Sequence, residues 1–232
     1  MPRTATPDIE AIAPGSVLLS ALVGIALAAA GFVVGVGATG LADGTTAFWY
    51  LSRASGFVAY ALLWGSVTWG LFLSTGLGRA WVRPPQLLDA HQFLSAAAVG
   101  FGSFHGLVLM GDRYVSFPLR AVVVPFAGRY EPLLVACGQI ALWLSLLLIV
   151  SFHIRRHIGA RAWRRLHYTS FGAFGLAFVH ATLLGTDSAT PWAAGVYLAT
   201  VAPVVFLSLH RILSITSVRD RLLGRDAAAQ PS

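Results

Sequence analysis

The feature that most constrains this 232-residue chain is a succession of apolar runs, each long enough to cross a lipid bilayer. By hydropathy they fall at about 16 to 38, 47 to 73, 91 to 111, 131 to 152, 166 to 185 and 191 to 213. A helix rising ~1.5 Å per residue needs roughly 20 apolar residues to traverse a ~30 Å hydrocarbon core. Lipid offers no hydrogen bonds, so every backbone N–H and C=O must be paired inside the protein. The expected fold is therefore an all-α membrane protein, a six-transmembrane-helix bundle forming one domain over residues 1–232. Only 11% of the residues are charged and the mean hydropathy is +0.73, which excludes an ordinary soluble globule with roughly 25% charged residues.

A net charge of +7 would point to nucleic acid in a soluble protein. Here the positive residues, all of them arginine, sit in short connections between apolar spans, so the expected partner is the bilayer and not nucleic acid. With these spans, twelve arginines fall on one side and four (Arg53, Arg113, Arg120, Arg129) on the other. The richer side marks the cytoplasm and places both termini there, in a multi-pass protein of the plasma or inner membrane. Spans three and five then both run outward. Asp8 and Glu10 beside a single arginine give the N-terminus no basic leader region, so the first span is expected to be a retained helix. The stretch from about 214 to 232 reads as a solvated tail, too short for a flavin or nicotinamide domain. The single cysteine, Cys137, excludes an internal disulfide and a cysteine-ligated zinc or iron–sulfur centre and suits core packing. Between about 112 and 130, the run Ala121 to Phe126 is too short to span but apolar enough to lie over the outer face and cover something.

Histidine inside a membrane helix must find a partner, because polar groups there are expensive. Four of the seven histidines form two similar pairs: His91 and His105, fourteen residues apart on span three, and His167 and His180, thirteen apart on span five. At ~1.5 Å per residue these separations are roughly 21 and 20 Å. Two parallel helices so marked can present two facing pairs, His91 with His167 near the cytoplasmic surface and His105 with His180 near the outer one. Each pair can supply both axial ligands of one haem iron, which leaves no open coordination position and favours electron transfer. Two b-type haems are the expected cofactors.

One geometric difficulty accompanies this reading. Fourteen residues return to within roughly 40° of the same helix face, whereas thirteen miss by about 140°. Either the two sites are rotated around span five, or Gly172 and Gly175 permit overwinding or a bend; the same glycines suit close helix packing. His153 and His157, four apart at the cytoplasmic boundary, are weaker metal candidates read as interfacial residues, and His210 is expected to be solvated. Arg53, near the outer end of span two, either turns inward to an anionic haem carboxylate or snorkels to the headgroups. On the inner side Arg79, Arg83, Arg164 and Arg165 can act likewise, and none is singled out.

The sequence resembles the ferric-reductase-like transmembrane domain family, which includes the membrane portions of NADPH oxidases and ferric reductases and the haem-binding membrane subunit of the bacterial methionine sulfoxide reductase system. The resemblance covers about residues 47 to 188. It rests on Arg53-Ala54-Ser55-Gly56-Phe57-Val58-Ala59-Tyr60, the His91/His105 pair, Trp163-Arg164-Arg165-Leu166-His167-Tyr168, and His180 followed by Gly185-Thr186-Asp187-Ser188. It implies six helices, bis-histidine haems between spans three and five, electron movement from the cytoplasmic haem to the outer one, and an outer-haem role for Arg53. The oxidases and ferric reductases continue into a flavin and NADPH domain that this sequence does not show. The implied donor is then a separate flavoprotein reductase or quinol, and the acceptor an outer redox protein, flavin or ferric iron, with no NAD(P)H activity by the chain alone. A different class of function is an accessory or structural subunit, haem-bearing or haem-free, packed into a larger membrane complex, for which the small residues Ala28 to Gly31 and Gly35 of span one suit helix contacts. A small transporter is disfavoured, because the spans lack paired internal acids and broken helices.

Overall fold

The computed structural model describes residues 47–77, 82–112 and 117–228, with only the backbone described from 215 to 228. The described residues are helical and contain no strand. In chain order the helices are α1 (Ala47–Thr75), α2 (Pro84–Val108, prolonged by a 3₁₀ turn Leu109–Gly111), α3 (Leu119–Val123), α4 (Pro132–His153), α5 (Arg155–Ile158), α6 (Ala160–His167), α7 (Thr169–Leu184) and α8 (Pro191–Ala228). Four stretches are long and apolar enough to cross a membrane: Ala47–Thr75, Pro84–Gly111, Pro132–His153 and Pro191–Ser214. Large apolar side chains such as Leu147, Leu198 and Phe206 are exposed on the outside of the bundle, as lipid-facing surfaces require. The chain is thus an α-helical membrane protein.

Proline opens α2, α4 and α8, where its fixed φ suits the first turn and its missing N–H costs nothing. Pro84 and Pro85 start α2 seven residues before the expected span at 91, so His91 lies nearly two turns inside the helix. At the other end, α8 runs to Ala228 through the stretch expected to be a tail. The expected span over 16 to 38 lies outside the described residues.

The fifth span departs most from expectation. Instead of one helix over 166 to 185 there are two, α6 and α7, meeting at Tyr168, and α7 has 16 residues. The junction is tightened in 3₁₀ fashion: the Tyr168 N–H reaches the carbonyls of both Arg164 and Arg165 at 3.3 Å, and the Phe171 N–H donates to Tyr168 O at 3.2 Å. Each residue wound at three per turn advances about 20° further than in an α-helix. This recovers part of the phase by which His167 and His180 miss one stripe. Overwinding, one of the ways to reduce that phase error, thus occurs at Tyr168, and Gly172 and Gly175 mark no close helix contact among the described residues, since a Cβ added at either would meet nothing within 4 Å.

Helix α1 packs antiparallel on α2, and α4 on α7; α1 also touches α7 and α8, and α2 touches α4. The buried core joins Tyr60, Val67 and Leu71 of α1, Phe174 of α7, and Ala193, Tyr197, Val204 and Leu207 of α8. Tyr60 Oη and Thr200 Oγ1 share a hydrogen bond of 2.7 Å inside it. The histidine-bearing α2 is not closely packed on α6, which ends at His167, or on α7, which carries His180, and a gap separates it from both.

Candidate metal centre

Across that gap the four histidine rings meet in two pairs. His91 and His167 have ring centres 6.1 Å apart with planes at 75°, and His105 and His180 have centres 6.0 Å apart with planes at 83°. Two imidazoles ligating one metal from opposite sides, at about 2.0–2.1 Å per nitrogen and about 1.1 Å from nitrogen to ring centre, place the centres roughly 6.3 Å apart. Edge-on aromatic contacts span a similar range, so the spacing acquires meaning only with the hydrogen bonds around it.

Three of the rings are tied by Nδ1 to backbone carbonyls. His91 Nδ1 lies 2.9 Å from Ser66 O, His105 Nδ1 2.7 Å from Ser52 O, and His180 Nδ1 2.8 Å from Leu134 O. A carbonyl only accepts, so each Nδ1 carries the proton and each Nε2 keeps its lone pair free. That is the state in which metal-ligating histidine is held. His167 has no hydrogen bond among the described residues; its ring stacks on Trp163 with centres 5.0 Å apart and planes at 25°.

Each pair opens into a cavity. The inner one, about 360 Å³, is bordered by Ser66, Gly70, Trp163, Arg164 and Arg211 as well as its histidines, and the outer one, about 400 Å³, by Ser52, Arg53, Gly56, Gly138 and Asp187. Both volumes are in the range of cofactor sites. Among the described residues no three His, Cys, Asp or Glu side chains converge as a metal site. Two imidazoles are too few for a bare tetrahedral ion, whereas a macrocycle that brings its own in-plane donors needs only an axial pair. The donor set therefore fits haem.

Arg53 faces the outer cavity and grips the Asp187 carboxylate through two of its nitrogens, its Nε donating to Asp187 Oδ2 at 3.1 Å. Its position beside Tyr50, with the guanidinium 5.8 Å from the ring centre, leaves it partly exposed. On the inner side the structure singles out Arg164 and Arg211 at the cavity wall, with the buried Trp163 Nε1 lacking a partner among the described residues. Arg79 lies outside the described residues. His153 and His157 are separated by a break at Ile154, so they share no continuous helix face; both are exposed, and His153 Nδ1 bonds Ile149 O at 2.9 Å. His210 differs from expectation, because its Nδ1 is buried with no partner among the described residues.

Sequence reasoning anticipated a cover over the outer face but missed the contacts that hold it and shape these cavities. Helix α3 folds over the outer cavity, where Gln139 Nε2 donates to Ala121 O at 2.6 Å and Val122 O at 2.8 Å, and Trp143 Nε1 to Val123 O at 2.9 Å. The apolar loop expected to cover something thus lies over the His105/His180 pair. A second missed signal was legible: Ser-x-x-x-Gly occurs twice on α1, at Ser52/Gly56 and Ser66/Gly70, fourteen residues apart like the histidines of α2. No protein-family model, curated protein or solved structure matches this chain.

Proposed function

We propose that this chain carries electrons across a membrane through two bis-histidine b-type haems, an inner one held by His91 and His167 and an outer one by His105 and His180. The observation that carries the reading is the pair of facing imidazole pairs about 6 Å apart, three of whose rings are locked with Nε2 free. Haem bound in these cavities supplies reversible one-electron chemistry; the protein fixes ligand geometry, burial and nearby charge. His91 and His105 lie fourteen residues apart on one helix, so the sites are stacked roughly 21 Å along its axis. That stacking suits vectorial transfer.

The inner end carries Arg155, Arg156, Arg161, Arg164 and Arg165, all exposed, with no acidic side chain between Glu131 and Asp187. This supports a cytoplasmic inner face, both termini on that side, and the plasma or inner membrane as the location. Electrons enter there from a separate flavoprotein reductase or quinol and leave by an outer acceptor, as in the ferric-reductase-like family that the sequence resembles. Arg53 and Asp187 flank the outer haem. The test is pyridine haemochrome analysis of purified protein together with a liposome assay. Two haems per chain and donor-dependent reduction of an enclosed or external ferric chelate are expected. Haem-free protein from haem-replete cells would favour the accessory-subunit reading instead.

A further inference from the structure

We infer that three of the four histidines are positioned by a repeated seat, built from a helix carbonyl and the glycine four residues after it, which fixes the ring nitrogen that faces the cavity. The pairs are Ser52/Gly56 for His105, Ser66/Gly70 for His91, and Leu134/Gly138 for His180. In a helix the Cβ of residue i+4 leans toward the N-terminus and lies beside the carbonyl of residue i. Glycine at i+4 clears that flank, so a ring from a neighbouring helix can approach edge-on and give its Nδ1–H to the carbonyl's second lone pair.

The fit is tight at each seat. An added Cβ would stand 3.0 Å from the His105 ring at Gly56, 3.2 Å from His91 at Gly70, and 2.8 Å from His180 at Gly138. Gly65, on the same α1 helix, would meet only Leu94, at 3.5 Å. Serine hydroxyls reinforce two seats, with Ser52 Oγ 3.2 Å from His105 Nδ1 and Ser66 Oγ 3.3 Å from His91 Nδ1. Because α1 and α2 run antiparallel, the fourteen-residue repeat of one helix meets the fourteen-residue repeat of the other in reverse order. A fourth seat would need a glycine at position 152 of α4, fourteen beyond Gly138, and Phe152 stands there. His167 is the ring left without a carbonyl.

What the seats aim at rests on the haem reading, so the experiment has one arm for each. In full-length protein, Gly56→Ala, Gly70→Ala and Gly138→Ala are compared with Gly65→Ala and Gly175→Ala. The first arm reads histidine ¹⁵N shifts in labelled apoprotein: wild type should show the Nδ1–H form at His91, His105 and His180, with each seat variant altering its own histidine. The second arm reads low-spin haem spectra and haem retention. Gly70→Ala should weaken the inner haem alone, and Gly56→Ala and Gly138→Ala the outer alone, by about 10- to 100-fold, the usual cost of losing a ligand's supporting hydrogen bond. The unaffected haem reports that the bundle is folded. Seat variants indistinguishable from the controls in the first arm overturn the inference; a wild type that binds no haem while the first arm holds overturns the haem reading and leaves the seats standing.

Discussion

The outer and inner histidine pairs have nearly the same ring separation, 6.0 and 6.1 Å, yet the protein holds them differently. Around the outer pair both imidazoles are bonded to backbone, α3 is pinned overhead by Gln139 and Trp143, and the local cation Arg53 is matched by Asp187. Around the inner pair only His91 is bonded to backbone. His167 sits at the junction of α6 and α7 against Trp163, and the nearby Arg164 and Arg211 have no carboxylate partner among the described residues. Matching geometry with unequal support means that ligand spacing is common to the two sites, while rigidity and charge belong to each. The outer pair is the more fully tethered, and the inner pair, at the arginine-rich end, includes one ring tied by stacking alone.

On the proposed function, the largest effects should come from the four histidines themselves. His105→Ala or His180→Ala should abolish the outer haem and leave the inner spectrum in place, and His91→Ala or His167→Ala should do the reverse, measured by haemochrome content and redox titration. His153→Ala should retain both haems. If His167→Ala spares the full haem content, the pairing across α2 and α6 is wrong.

Unequal support predicts unequal lability next. Exogenous imidazole, or carbon monoxide on the reduced protein, should displace His167 and change the spectrum of about half the haem, because that side chain has no hydrogen bond among the described residues to give up on leaving. Displacing His105 or His180 would orphan a buried N–H and a carbonyl, at a cost of about 1–3 kcal/mol for each buried group. Equal titration of both haems would erase the distinction between the sites.

How much of this is readable in the sequence follows the same division. Apolar length alone marks spans two, three, four and six, since a bilayer admits few alternatives, and the matched intervals of His91/His105 and His167/His180 give the pairing. The phase error of the thirteen-residue interval is a true signal of irregularity, but it does not say where the irregularity falls. Glycine is where a helix ordinarily yields, while this chain tightens at Tyr168, after a helix dense in arginine. The Ser-x-x-x-Gly repeat is visible in the sequence but acquires meaning only once α1 is seen antiparallel to α2. Asp187 and Gln139 act through contacts 134 and 18 residues away in sequence, and no local pattern announces such partners.

Charge should produce an intermediate effect confined to the outer site. Arg53→Gln removes a positive charge that favours the reduced, less positive haem, so the outer potential should fall. Asp187→Asn removes the opposing charge and should raise it. With an effective dielectric near 20, a unit charge about 10 Å away is worth tens of millivolts; the partial exposure of Arg53 holds the expected shift to roughly 20–60 mV. Spectroelectrochemical titration should show the inner potential unmoved by either change. Shifts of the same sign in both variants would place Arg53 away from the haem.

The smallest expected effect tests the cover over the outer site. Ala121 ends the hydrogen-bonding ladder of α3 badly: its natural donor four residues on is Pro125, which has no N–H. Gln139 supplies that donor from α4 and serves Val122 as well, at 2.6 and 2.8 Å. Gln139→Leu keeps similar bulk but removes both bonds, each worth about 0.5–1.5 kcal/mol net. The loss is partly offset because Gln139 Oε1, buried without a partner among the described residues, disappears too. The net change is expected at about 1 kcal/mol, enough to raise opening of α3 roughly fivefold without unfolding the bundle. Hydrogen exchange at residues 119 to 126 should quicken by that factor, and reoxidation of the outer haem by a small ferric chelate should accelerate to a lesser degree, with the inner site unchanged. Unaltered exchange in Gln139→Leu would mean that the Trp143 hydrogen bond to Val123 O and the apolar contacts hold α3 without Gln139.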